Sequence, residues 1–194
     1  MIDLDEYPRR EQPYLDIIFP SNNEYSIPTL DIEKQPTGLD LQISAWGEKS
    51  RAKDKTGLVH FYVDDYRFNS LWSKPYLVSD KSYTSAVEPN VTVSLDSPIA
   101  WVIWATYQKR WLARFWQAKG INIWVDLNVV AEHQEINLMG VPDGWNAFAT
   151  HGYSDRLEML HSEYAIAQRI SGNAKPLFCR LWWRKSCKTR MRSE

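Results

Sequence analysis

The chain has 194 residues, of which 44% are hydrophobic and 24% are charged, and its formal net charge at pH 7 is −1. These values are typical of one soluble globular domain and exclude a collagen-like chain, a coiled coil and long disorder. No apolar run approaches the roughly 18 residues that span a bilayer, and the two cysteines are too few for a disulfide framework. We therefore expect a cytoplasmic protein without a membrane partner.

The first part of the chain, residues 1–57, is polar and rich in proline and turn residues. Its short apolar stretches at 15–19 and 39–45 are candidates for strands, but no periodicity continues through the segment. We expect an irregular N-terminal segment that packs on a main body at residues 58–179, rather than a separate domain.

Strand and helix patterns alternate through the main body. Apolar, β-branched and aromatic runs predict five strands and amphipathic patterns predict two helices; the strands are at 58–63, 83–87, 121–125, 146–150 and 175–181, and the helices at 98–119 and 154–172. This alternation predicts a parallel sheet whose strands are joined by right-handed crossovers. Five strands fit either an open doubly wound sheet or an incomplete TIM-like barrel, since a full barrel needs roughly 250 residues.

The helix at 98–119 is the best-marked element of the sequence. Ser97 stands at its N-cap position, Pro98 at its first helical position, and Gly120 supplies its C-cap. Apolar side chains recur at three- and four-residue steps and oppose a polar set; the apolar residues are Trp101, Trp104, Trp111, Leu112 and Phe115, and the polar ones are Lys109, Arg110 and Gln117. The pattern predicts one aromatic face and one polar face.

Polar side chains follow four consecutive predicted strands at the points where the strands end. They are Asp64 and Asp65, Glu88 and Asn90, Asp126 and Asn128, and finally His151. In parallel α/β folds these ends meet at one edge, where ligands bind. Glu88, Asp126 and Asp64 are therefore candidate ligands of Mg²⁺ or Mn²⁺, which prefer oxygen. Asp126 and His151 are candidate catalytic groups, because a histidine can move a proton. The alternative is that each acid caps the loop after it.

Several motifs stand in an order that resembles one known family. They are Ser85-Ala86-Val87-Glu88-Pro89-Asn90, the helix Tyr107-x-x-Arg110-Trp111-x-x-x-Phe115-Trp116-Gln117, Gly120-Ile121 with Val125-Asp126-Leu127-Asn128, and Gly140-Val141-Pro142 followed by Ala149-Thr150-x-Gly152. Together they resemble the domain of unknown function 4417 family, which is met in bacteria, phages and other mobile elements. The resemblance covers residues 10–179, most specifically 85–152, and implies no activity, because none is established for the family. Members often show Ser-Pro-Asp where this chain has Glu88-Pro89-Asn90.

The chain ends in a basic stretch, residues 180–194, which has six Lys or Arg residues against the single acid Glu194. The resemblance implies a glycine-rich loop of the type Val-Tyr-Gly-Gly-Gly-Lys in place of Arg180-Leu181-Trp182-Trp183-Arg184-Lys185. A permitted codon choice for the present residues, translated from one base later, encodes that loop. We therefore hypothesise a frameshifted ending, with a solvated end or a nucleic-acid-binding arm as the alternatives.

Two classes of function fit these observations. The strand-end carboxylates and His151 predict a metal-dependent hydrolase of phage or mobile-element origin that acts on a phosphodiester or a nucleotide. The ten tryptophans indicate instead a non-catalytic regulatory module that binds nucleic acid, nucleotide or another protein. Exposure of Trp111, Trp116 or Trp145 would favour this module, whereas burial of all three would assign them to the core. A truncated, inactive family member is the third alternative, and the oligomeric state stays open.

Overall fold

A computed structural model describes residues 4, 9, 13–39, 42–47, 57–152 and 156–181 of the chain. The predicted start of the second helix, at 154, lies outside these described residues. Residues 182–194, which form most of the basic ending, lie outside them as well. The frameshift hypothesis therefore stays a prediction.

One curled sheet of six parallel strands forms the centre of the protein. The strands are β1 (Ile43–Ala45), β2 (Gly57–His60), β3 (Tyr83–Val87), β4 (Asn122–Asp126), β5 (Ala147–His151) and β6 (Leu177–Leu181). Each strand pairs in parallel with the next one along the chain. The five predicted strands correspond to β2 through β6, with bounds that differ by at most three residues.

Helices lie between consecutive strands from β2 to β6, because parallel strands need a crossover connection. They are α1 (Tyr76–Ser79) before β3, α2 (Ile99–Ala118) between β3 and β4, α3 (Gln134–Asn137) between β4 and β5, and α4 (Leu157–Ser171) between β5 and β6. Short 3₁₀ helices occupy parts of the loops at Ile32–Lys34, Asp65–Arg67, Asn69–Trp72 and Ala131–His133. Among the described residues, none of the helices has both the length and the apolar composition that crossing a membrane requires.

The strand order distinguishes between the two predicted architectures. A doubly wound sheet reverses its strand order at a switch point, whereas here every strand lies beside its sequence neighbour from β1 to β6. This order is that of a TIM barrel, and the curled sheet forms an open half-barrel. The sixth strand, β1, lies within the candidate strand at 39–45 of the N-terminal segment, where Ile43 pairs with Leu58 of β2. The other candidate, at 15–19, forms no strand.

Side chains alternate between the two faces of the sheet, as they do along any strand. Ile123 and Val125 of β4 belong to the larger core cluster, which also contains residues of α2 and α4. Trp124 belongs to a smaller cluster on the opposite face, together with residues of β2, β5 and β6. The helices therefore cover the outside of the half-barrel, and Asp126 shares the inner face with Trp124.

The orientation of α2 corrects the predicted amphipathic pattern. Trp101 and Trp104, assigned to the apolar face, are 43% and 38% exposed. Lys109 and Arg110, assigned to the polar face, are 3% and 0% exposed. The two cations are buried because they reach carboxylates at the ends of β4 and β3. Hydropathy along one helix carries no information about such partners, since they belong to distant parts of the chain.

The two ends of α2 differ in how well they match the sequence expectation. Ser97 does not cap the helix, because its hydroxyl accepts a hydrogen bond from the Ser94 N–H (2.9 Å) and Pro98 takes the N-cap position. Gly120 follows the C-cap residue Lys119 with a φ of 86°. This left-handed conformation favours glycine and turns the chain from α2 into β4.

The N-terminal segment is attached to α2 through side-chain hydrogen bonds. The Trp111 indole donates to the carbonyl oxygen of Ile17 (3.0 Å). The Gln117 amide donates to the carbonyl oxygens of Asp31 (2.9 Å) and Lys34 (3.1 Å), and its oxygen accepts the Asp31 N–H (2.9 Å). These bonds give the irregular backbone the partners that secondary structure would otherwise supply.

Candidate functional site

Asp126 ends β4 on the inner face of the half-barrel, and it is fully buried. Its Oδ1 accepts hydrogen bonds from the Tyr62 hydroxyl (2.9 Å) and the Asn128 N–H (3.0 Å). Its Oδ2 accepts from Nδ2 of Asn90 (3.0 Å) and from the ammonium group of Lys109 (3.4 Å). Four donors therefore fix the orientation of the carboxylate and compensate for the loss of its hydration.

Glu88 directly follows β3, lies beside Asp126 and is also fully buried. One of its carboxylate oxygens pairs with Arg110, and the other accepts the Asp126 N–H (3.2 Å). The remaining N–H groups of Arg110 donate to the carbonyl oxygens of Met139 (3.1 Å) and Asn137 (2.6 Å). Burial lowers the pKa of Arg110, and the neighbouring Glu88 carboxylate opposes this effect. The pair joins the end of β3 to α2 and α3.

Of the predicted Mg²⁺ or Mn²⁺ ligands Glu88, Asp126 and Asp64, the structure brings the first two together, and the metal centre stays a prediction. The charges of Glu88 and Asp126 are already balanced by Arg110 and Lys109. Asp64 lies at the surface after β2, where its side chain is 60% exposed. Throughout the described parts of the chain, no group of three or more His, Cys, Asp or Glu residues is placed to hold a metal ion. The two buried carboxylates pair with cations on α2.

Two histidines, which end β2 and β5, flank Tyr62 at the carboxyl ends of the strands. The Tyr62 ring centroid lies 5.7 Å from that of His60 and 5.3 Å from that of His151. Burial is the larger cause that lowers the pKa of His60 to about 4, and repulsion from His151, when that ring is protonated, is the smaller one. Burial also lowers the pKa of His151, with Asp126 opposing and Arg156 adding to the effect. Both imidazoles are therefore mainly neutral at pH 7 and able to accept a proton.

Tyr62 connects the two residues that the sequence suggested as catalytic. Its hydroxyl donates to Asp126, and its ring packs against the imidazole of His151. Burial and the charge of Asp126 raise the pKa of Tyr62 well above its usual range, so the hydroxyl stays a donor. The structure thus brings Asp126 and His151 into one cluster with Tyr62, and their catalytic roles stay predictions.

A pocket lies beside His151, between β5, β6 and the first turns of α4. It is a small hollow with a cavity volume of about 10 Å³, and it is lined by His151, Arg156, Met159, Leu160, Glu163 and Arg180. Glu163 is 4% exposed, and burial raises its pKa to about 8, with the nearby Thr150 hydroxyl opposing and the charge of Asp126 adding to the effect. At pH 7 the pocket therefore combines a neutral imidazole, a protonated carboxyl and two guanidinium groups.

The three tryptophans whose exposure would favour the binding module are buried. Trp111 is 1% exposed, and Trp116 and Trp145 are 0% exposed. The indole N–H of Trp116 donates to the carbonyl oxygen of Pro75 (3.0 Å), and that of Trp145 to the carbonyl oxygen of Ala147 (2.8 Å). These rings therefore belong to the core and do not form an aromatic binding surface.

Sequence reasoning missed several side chains of this cluster, namely Tyr62, Lys109, Arg110, Arg156, Glu163 and Arg180. A signal was present for two of them. Glu163 stands three residues after Leu160 and four before Ala167, so it lies within the buried stripe of α4. Lys109 lies in the same way between two alanines on α2, where small side chains allow close approach to the sheet. An ionisable residue inside an apolar stripe indicates a buried, paired or functional group.

The fold and the cluster together define the class of the protein, an α/β half-barrel with a buried ionic network and an acid–base pocket at the carboxyl ends of its strands. The model of the family described as Domain of unknown function (DUF4417) matches residues 19–163. The chain therefore belongs to this family, and the resemblance seen in the sequence is confirmed. The match includes Asp126, His151 and Glu163, whereas Arg180 lies beyond it.

Two curated proteins of mycobacterial phages are similar to the chain. The Gene 1 protein of Mycobacterium phage D29 is 32% identical over 114 residues, and that of Mycobacterium phage L5 is 32% identical over 115 residues. Each match covers 56% of this chain but only 41% and 48% of the respective relative, so the matched part is less than half of either relative. No solved structure matches the chain. The similarity supports the expected association with phages.

Proposed function

We propose that the protein hydrolyses a phosphodiester or a nucleotide by general acid–base chemistry, with His151 as the group that accepts a proton from the attacking water. The observation that carries this proposal is the pocket, where the neutral imidazole of His151 stands beside Arg156 and Arg180. Guanidinium groups favour an anionic substrate, because they pair with phosphate oxygens through two parallel hydrogen bonds.

The proton transfer follows from the surroundings of His151. Its lowered pKa leaves the ring unprotonated at pH 7, and the negative charge of Asp126 stabilises the imidazolium that forms when the ring takes up a proton. As water loses this proton, its oxygen attacks phosphorus and the ester P–O bond breaks. Asp126 is a positioning residue, because it orients Tyr62, whose ring packs against the imidazole.

Hydrolysis assays on bis(4-nitrophenyl) phosphate and on a set of nucleotides test the proposal. Parallel reactions with EDTA and with Mn²⁺ cover metal-free and metal-dependent activity. His151→Asn keeps the size of the side chain and removes the base, so we expect a rate loss of at least about 100-fold. His161→Asn, at an exposed position of α4, is the matched control and should retain the wild-type rate. A wild-type protein inactive on every substrate, or two variants with equal rates, would overturn the proposal.

A nucleic-acid-binding module is the second candidate, because Trp101 and Trp104 are exposed at the start of α2. The Trp104 ring stacks on Tyr107 with 5.8 Å between ring centroids. The Trp101 indole N–H donates to the carbonyl oxygen of Thr92 (3.3 Å). The backbone N–H of Thr92 in turn donates to the carboxylate of Asp65 (3.0 Å). This nearby negative charge disfavours a polyanion. Fluorescence quenching by a single-stranded oligonucleotide that disappears in Trp101→Phe would favour the binding module over the hydrolase.

A further inference from the structure

Exposed apolar side chains gather where the chain enters α2. Five of the ten large hydrophobic side chains that are exposed among the described residues lie in two segments, 63–68 and 91–104, and form what is here called the apolar patch: Tyr66, Leu95, Ile99, Trp101 and Trp104. The two segments are joined because the Asp65 carboxylate accepts hydrogen bonds from the Thr92 N–H (3.0 Å) and the Thr92 hydroxyl (2.9 Å). A concentration of exposed apolar side chains on a folded protein is typical of an interaction site.

The two tryptophans of the patch are held in place although they are exposed. The Trp101 indole N–H donates to the carbonyl oxygen of Thr92 (3.3 Å). The Trp104 ring stacks on that of Tyr107, with 5.8 Å between centroids, and lies nearly perpendicular to that of Trp72, with 5.4 Å between centroids. Rings that are already fixed lose little conformational freedom when a partner binds, so more of their contact energy is retained as affinity. This arrangement suits a docking surface.

Negative charge accompanies the patch. The same two segments contain three acids, Asp64, Asp65 and Asp96, against one cation, Arg67, which leaves a net charge of −2. Asp96 is exposed, and the side chain of Asp64 is 60% exposed. Nε of Arg67 lies 3.9 Å from a carboxylate oxygen of Asp64, and its guanidinium carbon lies 5.9 Å from the centroid of the Tyr66 ring. Carboxylates and the faces of aromatic rings both attract cations, so the surface disfavours a polyanion or an anionic membrane.

We propose that the apolar patch is a docking surface for an arginine- or lysine-rich segment of a partner protein, whose cations lie against Trp101 and Tyr66 and pair with the carboxylates beside them. The contact of Arg67 with the Tyr66 ring is an example, within this chain, of the packing that the partner's side chains adopt. Arginine fits best, because its flat guanidinium group stacks on a ring while its N–H groups pair with a carboxylate. The interaction is independent of the proposed hydrolysis, since no residue of the patch lines the pocket beside His151.

Fluorescence anisotropy of a labelled peptide, titrated with the full chain, measures this interaction. The probe is a dodecapeptide of alternating glycine and arginine, and its control is the same peptide with citrulline in place of arginine, which keeps the shape of the side chain and removes its charge. Citrulline should weaken binding at least about tenfold, because the rings and carboxylates then lose the charge that they attract. A rise in salt concentration should weaken binding of the arginine peptide and leave that of the citrulline peptide nearly unchanged.

Variants of the patch locate the binding surface. Trp101→Ala should weaken binding of the arginine peptide at least about tenfold, since a tryptophan commonly supplies a large part of the energy of an interface. Asp96→Asn, which removes one exposed carboxylate, should weaken it at least about twofold. The matched controls are Leu157→Ala, at an exposed apolar residue of α4, and Asp143→Asn, at an exposed acid outside the patch. Neither control should change the affinity.

Other occupants of the patch give different results. Equal affinities for the arginine and citrulline peptides, or equal affinities of the wild type, Trp101→Ala and Asp96→Asn for the arginine peptide, would overturn the proposal. Tighter binding of a single-stranded oligonucleotide than of the arginine peptide, lost in Trp101→Ala, would assign the patch to nucleic acid instead. Self-association of the wild-type chain in sedimentation equilibrium that Trp101→Ala abolishes and the arginine peptide does not displace would assign it to a second copy of this chain.

Discussion

Replacement of Glu163 by glutamine should change how the stability of the protein depends on pH. In the folded chain this carboxyl has a pKa of about 8, against an ordinary value of 4.5. Because the folded value is the higher one, the group costs no stability below pH 4.5, and the fold loses stability as the pH rises from there through about 8. Each pH unit between the two values corresponds to about 1.4 kcal/mol, so the full loss is at most about 5 kcal/mol.

The neighbours of Glu163 set the size of this loss. The hydrogen bond with the Thr150 side chain lowers the pKa of Glu163, so it favours ionisation of the carboxyl and reduces the loss. His151 is mainly neutral above pH 7, and the negative charge of Asp126 opposes ionisation. Burial of the side chain is the dominant cause of the raised pKa, since only 4% of Glu163 is exposed.

Urea unfolding at pH 5, 7 and 9 measures the effect. Between pH 5 and pH 9, the free energy of unfolding of the wild-type protein should fall relative to that of Glu163→Gln by several kcal/mol, up to the limit of about 5 kcal/mol. Glu158→Gln, whose side chain is exposed, should follow the wild-type curve. Parallel curves for the wild type and Glu163→Gln would refute the reasoning that burial keeps this carboxyl neutral.

Three further predictions follow from the buried charges and the backbone. Glu88→Gln leaves Arg110 buried without its carboxylate and should lower the free energy of unfolding in urea by about 3–5 kcal/mol, and a loss below 1 kcal/mol would contradict the pairing. A Cβ at Gly140 would lie 2.1 Å from a backbone oxygen, whereas one at Gly120 meets nothing within 4 Å, and both glycines have positive φ. In thermal unfolding Gly140→Ala should therefore be less stable than Gly120→Ala by at least about 2 kcal/mol, and equal losses would contradict the close approach. His60 should show the NMR signals of a neutral imidazole down to about pH 5, since its pKa is about 4, and a titration midpoint above pH 6 would contradict its burial.

Local patterns were sufficient for the class of fold and for most of its elements. The run at 121–125, which is apolar except for Asn122 and directly follows Gly120, indicates β4, because glycine ends the helix and a strand buried on both faces is mostly apolar. The alternation of strands and helices predicted parallel pairing, which the structure confirms. β1 lies within the stretch at 39–45 that was a candidate strand, but its three residues are too few for a periodic pattern, and the pairing of Ile43 with Leu58 establishes it as a strand.

The chemical character of the site, by contrast, depends on contacts between distant parts of the chain. By sequence, Lys109 belongs to the polar set of its helix. It is buried because the carboxylate of Asp126, seventeen residues away, offsets the free-energy cost of removing its charge from water. Glu163 is an ordinary acid by composition, and only the residues packed around it raise its pKa. Residue order specifies backbone preference and the spacing of apolar side chains, which are local properties. Burial and charge pairing depend on which segments meet in space, so they emerge only when the half-barrel is assembled.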